Sequence, residues 1–166
     1  PQLAFSVSAA TRPRRSDATD GLDYYFMSLD EFHKKIQNNE FIEWEMVYEG
    51  KYYGTLKTEL QRIKDLGRIP ILDIDVKGAI HVQQQYEERS LSIFVQPPSI
   101  EELRRRLEIR ATESPAALQD RLNKAAYEIS FRHHFDKIIT NDNLDKACHE
   151  AGVIISEFFK EEGILR

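Results

Sequence analysis

The sequence predicts an α/β fold built on a doubly wound parallel sheet, and three observations carry that expectation. Four short runs rich in Ile, Val, Leu or Phe fall at residues 3–7, 69–74, 91–95 and 135–139 without clean polar alternation, which suits central parallel strands covered on both faces. Helical patterns lie between and after these runs, and alternating strands and helices imply parallel strands with helical crossovers. The chain has 166 residues, 41% of them apolar, with seven Gly and six Pro, so it can bury one real core.

Taken in order, the run at 3–7 opens the core, and residues 20–55 then break the rhythm. "DGLDYYFMS" reads as a turn and strand, "SLDEFHKKIQNNE" as a short helix with Ser28 and Glu31 in capping-box register, and "EFIEWEMVYEGKYYG" as a hairpin. A small α+β insert, about residues 9–55, therefore precedes a helix at 55–66 that Gly67 ends. The run at 69–74 leads into "ILDID"; alternation along a strand would send Asp73 and Asp75 to the same side. Pro97 and Pro98 stop the third run, and Ser99 with Glu102 has capping-box spacing for a helix at 99–110. Ser114 followed by Pro115 reads as an N-cap with proline at the first helical position, opening a helix to about residue 129. A last helix spans about 144–160. The expected organisation is one domain over 1–166, with a core at about 1–8, 56–105 and 126–166 and a helical lid at about 106–125.

Charge narrows the partners. Lys and Arg total 23 against 28 Asp and Glu, a net charge of −5, which argues against a nucleic-acid binder or an anionic-membrane binder. Any anion site must then be a local arginine cluster. Cys148 is the lone cysteine, so no intrachain disulfide forms and a reducing compartment is compatible. No apolar run approaches the roughly 18 to 20 residues of a membrane span and no signal-like segment opens the chain, so a cytoplasmic location is expected.

Five groups of residues could carry chemistry. In "FSVSAATRPRR", Arg12 and Arg15, with Arg14 beside them, follow a strand end where loops leave a parallel sheet and ligands usually bind. An arginine fork gives a phosphate two parallel charge-assisted hydrogen bonds; a solvated basic loop is the plainer reading. Glu43 sits among apolar neighbours. Guanine presents N1–H and an amino group side by side, a donor pair that one carboxylate can accept, whereas adenine has a lone pair at N1 and would be repelled. A strand-edge glutamate facing water is the alternative. Tyr24, Tyr52 and Tyr53 could donate to a phosphate or simply pack. Asp73 and Asp75 lie where phosphoryl-transfer sites commonly hold Mg²⁺, or where a structural aspartate is paired. Arg106 and Arg110 share a helix face and Arg121 comes from the next helix, so the three could close over phosphates as a lid; Arg104 and Arg105 read as solvated. The glycine-rich loop G-x-x-x-x-G-K-[ST] does not occur, because the Gly50-Lys51 pair is followed by Tyr52.

In order, "FSVSAATRPRR", "DGLDYYF", "EFIEWEMVYEGKYYGT", "ILDID", the lid arginines and "IITND" resemble guanylate kinases, and the resemblance runs the length of the chain. It implies a P-loop-kinase-like doubly wound core with a GMP-binding insert and a helical lid, and transfer of a phosphoryl group from ATP to GMP with Mg²⁺. By the same resemblance, Arg12, Arg15, Tyr24 and Tyr53 contact the GMP phosphate, and Glu43, Thr55 and Asp75 contact guanine with Ser8 nearby. Asp73 sits at the Mg²⁺ and phosphoryl-transfer centre, directly or through water. Arg106, Arg110 and Arg121 approach the ATP phosphates and count with Arg12 and Asp73 as catalytic, and Asn141 lies near adenine. The family's pattern differs at three places, where this chain has Ala10-Thr11, Arg14 and Ala18. The resemblance also implies that a strand, a P-loop and a helix precede Pro1. A second possibility is a non-catalytic guanylate-kinase-like module that binds phosphopeptides. Asp73, Asp75, Glu43 and the lid arginines favour the enzyme, because a peptide site needs none of them.

Overall fold

The computed structural model describes residues 2–109 and 114–164. The chain forms two compact units, Pro1–Gln85 and Tyr86–Arg166. It is the expected α/β fold, with parallel pairing in both units. In the first unit, β1 (Leu3–Phe5) pairs in parallel with β6 (Ile69–Ile71), Leu3 opposite Ile69 and Phe5 opposite Ile71. A four-stranded sheet lies between them in sequence: β2 (Ala9–Ala10), β3 (Tyr25–Phe26), β4 (Phe41–Tyr48) and β5 (Lys51–Leu56), in the order β3-β2-β5-β4. Helix α1 (Leu29–Gln37) starts at Ser28, whose side chain accepts from Glu31 N while the Glu31 carboxylate accepts from Ser28 N. This reciprocal cap is the one the spacing predicts. Phe32 of α1 then stacks on Phe41 at 4.5 Å and, with Ala9 and Leu56, forms an apolar core for this sheet. Helix α2 (Lys57–Asp65) is followed by Gly67 at φ +65°, a left-handed position that glycine takes without strain. Helix α3 (Val76–Tyr86) closes the unit.

The second unit pairs β7 (Ile93–Gln96) in parallel with β8 (Lys137–Thr140). Helices α4 (Ile100–Ile109), α5 (Pro115–Ile129) and α6 (Leu144–Glu161) accompany the pair. Ser114 caps α5 by accepting from Ala117 N, with Pro115 at the first helical position. No helix among the described residues is long and apolar enough to cross a membrane.

Four expectations are corrected. The run at 69–74 is a strand only to Ile71, so Asp73 and Asp75 stand on irregular chain and strand alternation does not govern them. The helix expected from residue 55 begins at Lys57, because Thr55 and Leu56 remain in the ladder opposite Glu43 and Phe41. The Ser99 capping box is half made: Ser99 Oγ accepts from Glu102 N, but the Glu102 carboxylate turns to Arg105 and Arg106. The arginine segment does not leave the first core strand directly, since β2 intervenes. Its two alanines carry none of the β-branched or aromatic enrichment that marks strands.

One buried side chain ties three elements of the first unit. Glu59 of α2 is 2% exposed. It accepts from Val7 N just beyond β1 at 2.9 Å, from the Tyr25 hydroxyl on β3 at 3.0 Å, and from Arg62 through two bonds of 2.7 and 2.9 Å. The Arg62 bonds, then the Val7 and Tyr25 bonds, hold its pKa below 4.5. A depressed carboxylate pKa gives stability that is present above the unfolded value and lost as pH falls through the folded one. Glu59→Gln is therefore expected to cost roughly 2–3 kcal/mol at pH 7. The deficit should shrink below pH 4.5, as the wild-type carboxylate itself takes up a proton. Denaturant unfolding of both proteins across pH 3–7 checks this; a deficit independent of pH would reject the ionic role.

Candidate functional site

The placement of Glu43 begins with an irregularity. Phe41 lies opposite Leu56 and Glu43 opposite Thr55, so two steps along β4 match one along β5 and Ile42 forms a bulge. Adjacent residues of β5 face opposite sides. Phe41 thus shares the side of Leu56 in the apolar core, while Glu43 is turned to the side of Thr55. In an unbroken strand Phe41 and Glu43 would share one face. Gln85 on α3 donates to the bulged Ile42 carbonyl at 2.7 Å. Gly54 completes the crossing: a Cβ there would lie 2.8 Å from Phe41 Cδ1 and 2.9 Å from Trp44 Cβ, so the close approach requires glycine.

Glu43 is 5% exposed and accepts a hydrogen bond of 2.6 Å from Thr55 Oγ1. Its carboxylate lies over the first turn of α3, where a Cβ built on Gly78 would be 2.5 Å from Glu43 Oε2 and 3.2 Å from Asp75 Oδ1. Two carboxylates therefore meet around one glycine. Asp75 Oδ1 also accepts from Gly78 N at 2.9 Å. Burial pushes the Glu43 pKa from 4.5 to about 7; the Thr55 bond opposes this and the negative Asp75 adds to it. The ionised form is thus disfavoured by about 3 kcal/mol.

A second cluster lies on the same face of β5. Tyr53 and Thr55 are two residues apart, about 7 Å along a strand. The Tyr53 ring meets Tyr24 edge-on at 5.9 Å, and the Arg12 guanidinium stands over Tyr24 at 4.8 Å and Phe26 at 5.4 Å. Cation–π contact holds Arg12 against these rings. Burial raises the Tyr53 pKa, while the positive Arg12 and, more weakly, Arg15 lower it. Thr11 Oγ1 accepts from Tyr52 N at 2.9 Å and fastens the start of the arginine segment to β5. Arg14 and Arg15 are exposed. Ser8 joins through its backbone, its carbonyl accepting from Tyr25 N.

The remaining residues are less concentrated. Asp73 is exposed on the segment between β6 and α3. In the second unit, Arg106 is a fastener: Nε donates to Glu102 at 2.7 Å and Nη1 to the Asn141 carbonyl at 2.8 Å. Arg121 is half-buried on α5. Arg104 and Arg105 are exposed as expected, although Arg105 grips Glu102 through two bonds of 2.8 Å. Arg110 lies outside the described residues. Gly78, Gln85 and Gly54 were not among the expected site residues. An isolated glycine inside a helical pattern is the one signal that could have singled out Gly78.

Comparison with known proteins supplies the family. The family model described as guanylate kinase matches residues 2–158. A guanylate kinase of Bacteroides fragilis is 47% identical over 156 residues, covering 94% of this chain and 76% of the relative. One from Bacteroides thetaiotaomicron is 46% identical over 160 residues, covering 96% and 78%. The crystal structure of guanylate kinase from Anaplasma phagocytophilum superposes with a TM-score of 0.78 at 34% identity, covering 94% of this chain and 76% of that one. The chain belongs to the guanylate kinase family.

Proposed function

We propose that this protein transfers the terminal phosphoryl group of ATP to GMP, giving ADP and GDP, and that GMP sits on the nucleotide face of β5. One observation carries the reading. A buried carboxylate beside a second acceptor, Glu43 with Asp75, lies against Thr55, two residues along β5 from Tyr53, a tyrosine grouped with Arg12. The first pair suits the N1–H and amino donors of guanine, with Thr55 holding Glu43 in place. Arg12, Arg15, Tyr24 and Tyr53 suit the phosphate, and Ser8 lies on the adjoining backbone. Arg106, Arg110 and Arg121 are assigned to the ATP phosphates and Asn141 to the adenine side.

Phosphoryl transfer needs positioning and charge stabilisation more than covalent help from the protein. An oxygen of the GMP phosphate attacks the terminal phosphorus of ATP; a new P–O bond forms as the bond to the ADP oxygen breaks. A phosphate monoester has a second pKa near 6, so the attacking oxygen is ionised at neutral pH and needs no base. Arg12 and Arg15 hold it by charge-assisted hydrogen bonds. Among the described residues no three His, Cys, Asp or Glu side chains cluster for a metal. Mg²⁺ is commonly bound by one or two carboxylates with substrate phosphates and water, and the exposed Asp73 fits that demand. When bound with ATP, Mg²⁺ would offset phosphate charge. The substrates and the exposed Cys148 suit a reducing cytoplasmic setting.

GMP-dependent formation of ADP from Mg·ATP by the full-length protein tests the activity; phosphopeptide binding without turnover would overturn it. Glu43→Gln is expected to raise KM for GMP roughly 10- to 100-fold with ATP affinity little changed. An unaltered base preference would remove Glu43 from its role. Asp73→Asn is expected to lower kcat about 100-fold with a smaller effect on KM for GMP; unchanged kcat rejects the metal role. Because Glu43 takes up a proton near pH 7 and guanine needs the carboxylate, GMP affinity should fall about tenfold per unit as pH drops below 7. GMP's own phosphate titrates near 6, so the difference in slope between wild type and Glu43→Gln isolates residue 43.

A further inference from the structure

Gly78 stands in the first turn of α3 with ordinary helical backbone. Alanine is the better residue at such a place, since glycine surrenders more backbone freedom in a helix. The missing side chain must therefore be explained by what fills its space, and the filling group is the Glu43 carboxylate. A methyl group on Gly78 would stand 2.5 Å from Glu43 Oε2, 3.1 Å from Glu43 Cδ and 3.2 Å from Asp75 Oδ1. These nearest atoms are all side-chain atoms, and the closest is the end of a side chain that can rotate away. The helix itself would accept the methyl group.

We propose that Gly78 is a specificity-determining position for the purine base: its bare backbone lets Glu43 lie against α3 beside Asp75, so that the two carboxylates form one acceptor pair. The proposal rests on the reading of Glu43 as the group that reads guanine. Two further contacts fix the same β4–α3 seam. Gln85 donates to the Ile42 carbonyl, and His81 Nδ1 lies 3.6 Å from Glu45 Oε1. These contacts keep β4 from retreating, so a methyl group at 78 is relieved by swinging the Glu43 carboxylate away from Asp75. The acceptor pair separates, and a base offering two adjacent donors loses more than a base offering one. Inosine monophosphate, which keeps N1–H but lacks the amino group, is the natural probe.

The experiment titrates GMP and inosine monophosphate into full-length protein without ATP and records thermal unfolding alongside. Gly78→Ala is expected to unfold no earlier than wild type, to bind GMP roughly 10- to 100-fold more weakly, and to lose most of its preference for GMP over the inosine nucleotide. In a Glu43→Ala background the obstructed carboxylate is gone, so adding Gly78→Ala should change GMP affinity by less than about twofold. Gly152→Ala, on α6 with nothing within 4 Å of its Cβ, should leave both affinities as in wild type. A wild-type preference retained in Gly78→Ala, or an equal loss in the Glu43→Ala background, overturns the proposal alone. Wild-type protein that binds both nucleotides alike overturns the reading of Glu43 and the proposal with it. Should Gly78→Ala fail to fold, a folded Glu43→Ala, Gly78→Ala double variant still supports the steric link, and an unfolded one rejects it.

Discussion

The extra residue in β4 decides which side of the hairpin receives Glu43, and the other features of the first unit accommodate that choice. With Ile42 bulged, Phe41 stays with Leu56 in the apolar core while Glu43 passes to the side of Thr55. A regular strand would leave Glu43 in the apolar core, where an ionised carboxylate is strongly disfavoured. The bulge needs a donor for its displaced carbonyl, and Gln85 supplies one. The hairpin needs room for Phe41 to lean across, and Gly54 supplies that. The buried carboxylate needs space against α3, and Gly78 leaves it open. Four residues scattered over forty-odd positions thus serve one placement.

Glu59 and Glu43 show how burial alone does not define a carboxylate's role. Both are nearly inaccessible, at 2% and 5%. Glu59 accepts from a backbone N–H, a hydroxyl and a guanidinium, so its pKa is depressed. Its hydrogen-bonding capacity is used within the fold, where it joins α2 to β3 and to the chain after β1. Burial, with the neighbouring Asp75 carboxylate, raises the Glu43 pKa to about 7 against the opposing bonds from Thr55. Lone pairs remain available for donors that a ligand would bring. Perturbed carboxylates of this second kind are where binding sites concentrate.

Much of this arrangement was legible in the amino-acid order. The four apolar runs, the Ser28 and Ser114 caps and the Gly67 stop depend on local chemistry, and local chemistry is what a sequence displays. Arg12, Tyr24, Tyr53, Thr55 and Glu43 could be picked out as a group because their types suit a nucleotide and their segments come in a recognisable order. The bulge was not legible, because "EFIEWEM" alternates well enough to pass as a regular strand; only pairing with β5 reveals the extra residue. Strand β2 was hidden for a similar reason, as two alanines gain strand character only from the neighbours on either side. Strand alternation does not govern Asp73 and Asp75 because β6 ends at Ile71, and Asp75 is instead fixed by accepting from Gly78 N at the start of α3. Glu59 looks like any helical surface glutamate until Val7 and Tyr25 are brought to it by tertiary structure.

The raised pKa also bears on selectivity. On the proposed reading of Glu43, a carboxylate already stripped of water does not have to shed it when a base arrives, so guanine's donors would meet an acceptor whose desolvation was met during folding. Folding therefore carries about 3 kcal/mol of electrostatic penalty that binding can relieve. Relief depends on the partner. On the same reading guanine would supply donors and favour the ionised Glu43, whereas adenine brings a lone pair at N1 and would meet an ionised Glu43 with repulsion. A protonated Glu43, by contrast, could donate to that lone pair. Discrimination on this reading is strongest where the bound carboxylate is fully ionised, above the value near 7 set by its own burial. The desolvation that sharpens the site thus also sets the pH below which its choice between the two purines weakens.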